Sequence, residues 1–202
     1  MVHMPASEFT EAQRETMLLM ARGSIATLLA GQSPAVPATE ALPDWLRARR
    51  ACFVTLESHG HLRGCIGSLE AGRPLGVDII LNAISAASRD YRFAPLQPDE
   101  PVSIHLSILS VLSEVAVSSE TELLGMLRPD IDGVVFQAGT HRATFLPVVW
   151  HSLKTPAQFM SELKRKAGLS PNYWSDQVRI WRYHTESFGE ELEVPVGATG
   201  MT

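Results

Sequence analysis

The sequence contains only two cysteines, and neither lies in a Cys-x-x-Cys pair. This scarcity argues against a disulfide framework and against structural zinc, because both need several cysteines at short spacing. Three nucleotide-binding or catalytic signatures are also missing: Gly-x-x-x-x-Gly-Lys-Ser/Thr, Gly-x-Gly-x-x-Gly and Gly-x-Ser-x-Gly. The sequence therefore predicts no nucleotide or other cofactor and no serine-hydrolase chemistry.

Long apolar runs are absent as well. The most apolar segment, residues 17–30, is interrupted by Arg22 and is too short to span a bilayer, and residues 1–15 lack the charged-then-apolar order of a signal peptide. Acidic residues outnumber basic ones, 22 to 17, whereas nucleic-acid binders need a basic surface. We therefore expect a cytoplasmic protein that binds neither membrane nor nucleic acid. The basic clusters at 47–50 and 164–166 are expected on the solvated sides of helices.

Hydrophobic periodicity predicts both helices and strands. We expect an α+β protein in which a mostly antiparallel sheet is covered by helices, with a single domain over 1–188 and an acidic, frayed tail at 189–202. The predicted helices cover 7–31, 74–90, 120–127 and 155–169, and the predicted strands cover 51–57, 61–69, 102–109, a hairpin within 132–150 and a last strand at 177–188.

Residues 51–69 are predicted to form a hairpin that turns at Ser58, His59 and Gly60. Because side chains alternate along a strand, Cys52 and Gly64 then lie on the apolar face and Cys65 lies on the other face. The two cysteines are therefore not expected to form a disulfide. The register predicted by this turn pairs Glu57 with His61, Leu56 with Leu62, Thr55 with Arg63, Val54 with Gly64 and Phe53 with Cys65.

Cys65 carries the clearest chemistry, since His61 and Arg63 precede it on the same strand face. A nearby guanidinium favours the thiolate, and a histidine can accept the thiol proton, so Cys65 is a candidate nucleophile or redox thiol that Arg63 and His61 activate. Gly64 and Gly67 would leave space for a ligand beside the sulfur. The residues also fit an alternative, in which Cys65 is a small packed thiol and the glycines serve packing alone.

The histidines near Cys65 do not match a known metal-binding pattern. His59 and His61 could join the thiol, but their spacing is unlike that of zinc sites and no carboxylate lies at a ligand offset. We therefore expect no metal.

The segment LRGCIGSL at 62–69 is one of seven short segments that match a known family in order along the chain. The other six are FVTL at 53–56, DYRF at 90–93, LSILS at 106–110, DGVVF at 132–136, TFLPVVW at 144–150 and KAGL at 166–169. With them the chain resembles, from about residue 12 to 188, the AMME chromosomal region domain family, whose prokaryotic members are called AmmeMemoRadiSam system protein A. The resemblance implies an α+β domain of two lobes, a pocket near the LRGC element, and a genomic association with a Memo-type protein and a radical SAM protein. It implies no established reaction.

The family signature falls on six consecutive residues, and this chain keeps every one. The resemblance therefore adds Leu62, Gly64, Ile66 and Gly67 as candidate ligand-binding residues. Two positions depart from the family: proline is usual where this chain has Tyr91, and glutamate is frequent where it has His151. If that glutamate contributes to the family's site, His151 is a candidate base in its place.

Two classes of function follow. The first is a small enzyme that uses Cys65 as nucleophile or redox thiol, with Arg63 activating it and His61 or His151 moving protons. The second is a non-catalytic module that binds a small molecule or a peptide of a Memo-like or radical SAM partner. Composition does not separate them.

Overall fold

The computed structural model describes residues 7–190 and contains two four-stranded antiparallel sheets with helices packed on them. The fold class is α+β, as predicted. No helix in the described range is long and apolar enough to cross a membrane. The helices are α1 (Glu11–Leu29), α2 (Asp44–Arg47), α3 (Leu75–Ser88), α4 (Glu120–Met126) and α5 (Pro156–Lys166). The strands are β1 (Cys52–Ser58), β2 (His61–Gly67), β3 (Ser103–Leu109), β4 (Ser113–Glu114), β5 (Gly133–Ala138), β6 (His141–Phe145), β7 (Val178–Tyr183) and β8 (Thr185–Gly189).

The second sheet is inserted into the first. The strand orders are β2-β1-β3-β8 and β4-β7-β5-β6, so everything between β3 and β8 forms a second lobe. The ends of this insertion meet, since Ser110 N–H donates to His184 O at 2.9 Å and His184 N–H donates to Ser110 Oγ at 3.0 Å. The single strand predicted at 177–188 is therefore wrong: the chain leaves the second sheet at His184 and enters the first.

Each sheet buries one face under helices. In the first lobe, Val54 and Leu106 belong to a core that includes residues of α1 and α3. In the second, Phe136 and Phe159 belong to a separate core that includes residues of α4 and α5. The faces turned away from the helices meet in a smaller apolar cluster, which we call the interlobe cluster; it comprises Ala51, Phe53, Leu109, Val135, Leu146, Trp181 and Tyr183.

The β1–β2 hairpin differs from its predicted register. His59 and Gly60 form a two-residue turn with φ values of 51° and 77°, so that Ser58 pairs with His61. A bulge next to Leu56 then shifts the pairing by one more residue. Past the bulge the total shift is two residues, so Gly64, Cys65, Ile66 and Gly67 keep their predicted faces. Between the turn and the bulge the shift is one residue, so His61 and Leu62 exchange faces, and the prediction that His61 shares the face of Cys65 is wrong. The observed pairs are Leu56 with Gly64, Thr55 with Cys65, Val54 with Ile66 and Phe53 with Gly67.

Two smaller predictions also need correction. Strand β8 extends to Gly189, and Glu190 N–H donates to Ile104 O at 2.9 Å, so the sheet continues past residue 188. The remainder of the predicted tail lies outside the described residues. Lys164, predicted on the solvated side of a helix, is fully buried, because its ammonium pairs with Glu120 of α4 at 2.8 Å.

Candidate functional site

Cys65 lies on β2, an edge strand, and its backbone is held by the segment that follows α3. Its N–H donates to Asp90 Oδ2 at 2.8 Å, and its carbonyl oxygen accepts from Arg92 Nη2 at 3.2 Å. Arg92 also binds both oxygens of Asp90, at 2.9 and 2.7 Å. The hydrogen bonds that Arg92 donates to Asp90 hold the pKa of this carboxyl well below its usual range, and the hydrogen bond from the Cys65 N–H adds a smaller effect in the same direction. Burial of Asp90 opposes both effects. Asp90 and Arg92 thus cap the edge of the sheet at Cys65.

The thiol of Cys65 is partly buried on the face turned away from the helices. Thr55 Oγ1 lies opposite on β1, 3.3 Å from Cys65 Sγ. His105 of β3 is the next residue in this cross-strand row, and its Nε2 lies 3.5 Å from Glu57 Oε2. The row therefore places a thiol, a hydroxyl and an imidazole side by side, with the hydroxyl in contact with the thiol.

Arg63 does not pair with the thiol. Its guanidinium forms an ion pair with Glu100 and donates to Ala94 O at 2.9 Å. This pairing lowers the pKa of the Glu100 carboxyl. Arg63 therefore ties β2 to the segment before β3.

The other signature residues divide between the two faces of β2. Gly64 is buried against α3, where an added Cβ would collide with Ala86 O, and Ile66 packs on the first core. Gly67 lies under the ring of Phe53, and Leu62 is largely exposed. The hairpin thus uses two glycines for close approach, one on each face.

The two candidate bases lie apart from the thiol. His61 is exposed beside the hairpin turn, and His151 is exposed in a 3₁₀ turn of the second lobe at Pro147–His151. Tyr91, the other departure from the family, is 95% exposed. Among the described residues, no three His, Cys, Asp or Glu side chains are arranged to hold a metal ion.

A buried polar cluster fixes the segment that follows β2. Asp78 of α3 is almost fully buried and accepts from Ser68 Oγ at 3.0 Å, from Arg73 Nε at 2.9 Å and from Cys52 N–H at 3.1 Å. Asn82 donates to Cys52 O at 3.1 Å. Burial and then the Asp78 carboxylate raise the pKa of the Cys52 thiol. This thiol is therefore a structural one.

The segment fixed in this way, residues 68–72, forms one wall of a groove between the lobes. Two adjoining cavities of about 400 and 390 Å³ share Leu69, Glu70 and Arg142 as lining residues. Cys65 lines neither of them. The first extends along β6 to Val135, Ala143, Thr144 and Lys166, and the second extends to Arg49, Arg50, Leu109, Val111 and Leu112.

The groove combines apolar surface with cations. Leu69 is 40% exposed and Val111 is 69% exposed. Arg142 and Lys166 lie at one end and Arg49 and Arg50 at the other. Within residues 7–190, Glu70 is the only carboxylate in either lining; it pairs with Arg142, and Arg50 pairs with Glu8 outside the lining. Such a surface fits a ligand that has apolar groups and negative charge.

Sequence reasoning did not assign roles to Asp90, Arg92, Glu100, Thr55 or His105. Four of them act through contacts between segments that are far apart in the chain, whereas Thr55 meets Cys65 within the hairpin because of the shifted register. The DYRF segment was the feature of the sequence from which the roles of Asp90 and Arg92 could have been predicted. An acidic and a basic residue two positions apart can bind the N–H and the C=O of the same backbone residue.

The fold and the site define a two-lobed α+β protein in which the strand bearing LRGCIG leads into an interlobe groove. The family model AMMECR1 matches residues 18–188. The chain belongs to the AMMECR1 family.

Relatives of similar length share this sequence. A protein of Methanothermobacter thermautotrophicus is 35% identical over 180 residues, which cover 87% of this chain and 93% of the relative. A Thermotoga maritima protein is 38% identical over 154 residues, covering 74% and 83%. The crystal structure of an uncharacterized protein from Pyrococcus horikoshii superposes with a TM-score of 0.71 at 27% identity, covering 88% of this chain and 91% of that one.

Proposed function

We propose that this protein is a cytoplasmic binding module that holds a partner protein or a ligand in the groove between its lobes. The observation that carries the proposal is the position of the groove: residues 68–72 leave the signature strand, are fixed by the buried Asp78 cluster, and form its wall. The signature segment then acts as a support for the binding surface.

The groove's lining supports binding of this kind. Exposed leucine and valine side chains beside arginines are typical of interaction surfaces, where an apolar contact excludes water and the cations select the charge of the partner. The partners that the family resemblance implies are a Memo-type protein and a radical SAM protein. We include them in the proposal as the first candidates.

Binding measurements with groove variants test the proposal. The purified chain would be titrated by calorimetry with the Memo-type and the radical SAM protein of the same organism. Leu69→Asp places a charge on the apolar wall and is expected to weaken binding about tenfold or more. Leu19→Asp, at a 63% exposed leucine on α1, is the matched control and should bind as the wild type does. Equal affinities for both variants, or no binding by the wild-type chain, would contradict the proposal.

Thiol chemistry at Cys65 is a second candidate function. It is favoured by one observation: Cys65 Sγ contacts the Thr55 hydroxyl on a partly exposed sheet face while Arg92 binds the Cys65 carbonyl. A hydroxyl can donate to a thiolate, and a nearby guanidinium stabilises its charge. If Cys65 is a reactive thiol, the cation near it is Arg92 and not Arg63 as the sequence predicted.

Alkylation kinetics separate the two candidates. Iodoacetamide rates would be measured against pH for the wild type, Arg92→Met and Arg63→Met. Thiol chemistry requires a fast reaction that Cys65→Ser abolishes and that Arg92→Met slows more than Arg63→Met does. Superimposable profiles for all three proteins would remove this candidate and leave the binding module.

A further inference from the structure

We propose that strand β6 binds an extended acidic peptide as an added strand within the interlobe groove. This inference rests on the proposed function, because it uses the same groove, and it names the class of partner and the mode of binding.

The hairpin geometry determines which backbone groups of β6 face outward. Gly139 and Thr140 form a two-residue turn that makes Ala138 and His141 a hydrogen-bonded pair. Bonded and non-bonded pairs alternate from there, so the N–H and C=O groups of Arg142 and Thr144 point away from β5. β6 is the last strand of its sheet, and both residues line the groove. The outward groups therefore face the cavity.

The side chain of Lys166 supports this orientation. Its Nζ donates to Thr144 O at 3.0 Å, which requires that the Thr144 carbonyl point outward from the sheet. The lysine satisfies one outward carbonyl and places a positive charge at the open edge.

Strand β2 shows how this fold closes an edge. There the outward N–H and C=O of Cys65 are both occupied, by Asp90 and Arg92. Proteins generally cover or cap exposed edges because an open edge pairs with other strands. In the described part of the chain, β6 receives no comparable pair of side chains at Thr144, and a cavity of about 400 Å³ lies beside it.

The residues that line the cavity beside β6 determine which side chains the added strand should carry. Leu69 and Val135 provide apolar contact, while Arg142 and Lys166 provide positive charge. Glu70 shows how a carboxylate is received, since it already pairs with Arg142. By the register of β5 and β6, Arg142 and Val135 lie on one face of the sheet, and Phe145 lies on the other, toward the second core. In a peptide that alternates acidic and apolar residues, the acidic side chains then meet Arg142 on the first face, and the apolar side chains extend the face of Phe145. The geometry points to such a segment of a partner protein.

Fluorescence anisotropy with a labelled acetyl-Glu-Val-Glu-Val-Glu-Val-amide peptide tests the inference in the full chain. Thr144→Pro removes the outward N–H at a position where an edge strand accepts proline, and is expected to weaken binding about tenfold. Thr144→Val is the matched control, because both variants lose the hydroxyl bond to Tyr183 but valine keeps the N–H. The valine variant should retain the wild-type affinity.

Amide hydrogen exchange in the wild-type chain gives a second readout that needs no variant to fold. Peptide binding should slow exchange of the Thr144 amide, whereas a ligand held by side chains alone would leave it unchanged. The same peptide with lysine in place of glutamate should not bind, and a uridine hexanucleotide should not compete.

Three results would overturn the inference: equal affinity of the proline and valine variants, unchanged Thr144 exchange on binding, or equal binding of the lysine peptide or the oligonucleotide. None of them decides the proposed function, which is judged by the response of partner binding to Leu69→Asp. If partner binding depends on Leu69 while Thr144→Pro has no effect, the groove binds its partner without strand addition.

Discussion

Gly64 is a signature residue whose side-chain size is restricted by the backbone of α3. A Cβ at this position would collide with the Ala86 carbonyl of α3, and backbone atoms yield less easily than side chains. Gly64→Ala is therefore expected to lower the free energy of unfolding by ~1–3 kcal/mol. Urea denaturation followed by circular dichroism measures the change.

Gly23 provides the control for that substitution. It is an exposed residue within α1, and a Cβ there would meet no atom within 4 Å. Gly23→Ala is expected to raise the free energy of unfolding by ~0.5–1 kcal/mol, because alanine has the higher helix propensity. A Gly64→Ala protein as stable as the wild type would show that β2 does not approach α3 as described.

Asp90 should make stability depend on pH. Its pKa is lowered in the native state by Arg92 and the Cys65 N–H, so it stabilises the fold above its unfolded pKa of about 3.9, and this contribution is lost as pH falls through the native pKa. Asp90→Asn is thus expected to be less stable than the wild type at pH 7, by a margin that narrows from about pH 5 toward pH 2.

Urea denaturation at a series of pH values checks this expectation. Asp99→Asn, at an exposed carboxylate in the same segment, serves as the control and should follow the wild type at every pH. A constant difference between wild type and Asp90→Asn across the range would mean that the capping ion pair does not form.

The pairing of α4 with α5 depends on a buried charge. Lys164 is fully buried and its ammonium contacts both oxygens of Glu120, at 2.8 and 2.9 Å. Glu120→Gln leaves this charge without its counterion and is expected to cost ~3–5 kcal/mol, whereas Lys164→Met removes the charge itself and should cost much less. Denaturation of both single variants measures the two values. Equal losses would contradict the account of an unpaired charge.

Local patterns predicted most helices and strands of this fold, including the hairpin within 132–150, which forms β5 and β6, and the helix at 155–169, which forms α5. The register of the first hairpin was not predictable in the same way. It depends on His59 adopting a positive φ, which is uncommon for a residue with a side chain, and on a bulge that no residue type announces.

The contacts around Cys65 also lay beyond local patterns. Asp90 binds Cys65 across 25 positions of sequence, and Glu100 binds Arg63 across 37. The strand pattern showed correctly that Cys65 faces away from Cys52, since alternation is a local property. It could not show that Arg63 turns to another segment, because that depends on how the chain returns after α3.

The two lobes are joined in a way that predicts partial independence. Each has its own core, and only the interlobe cluster packs between them. A variant in which a short glycine-containing turn replaces residues 111–183 should still form the first sheet with α1 and α3, because β3 and β8 remain neighbours. Its free energy of unfolding should be lower, since Phe53 and Leu109 would no longer pack against residues of the second lobe.

Circular dichroism and amide exchange of that variant provide the check. Slow exchange of the β1 and β3 amides would show an intact first lobe. A chain without protected amides would mean that the first lobe needs the second in order to fold.

The meeting of Ser110 with His184 also has a consequence for the order of folding. Pairing β3 with β8 directly from the unfolded chain requires closing the long segment between those two residues. If the inserted lobe folds first, it brings Ser110 and His184 together. Strands β3 and β8 can then pair as the two strands of a hairpin do, with only a short loop left to close. By the logarithmic dependence of closure entropy on loop length, this lowers the free-energy cost of the step by about 2–3 kcal/mol. As the chain leaves the ribosome, residues 111–183 emerge before β8, so the order of synthesis favours folding of the inserted lobe before β3 pairs with β8.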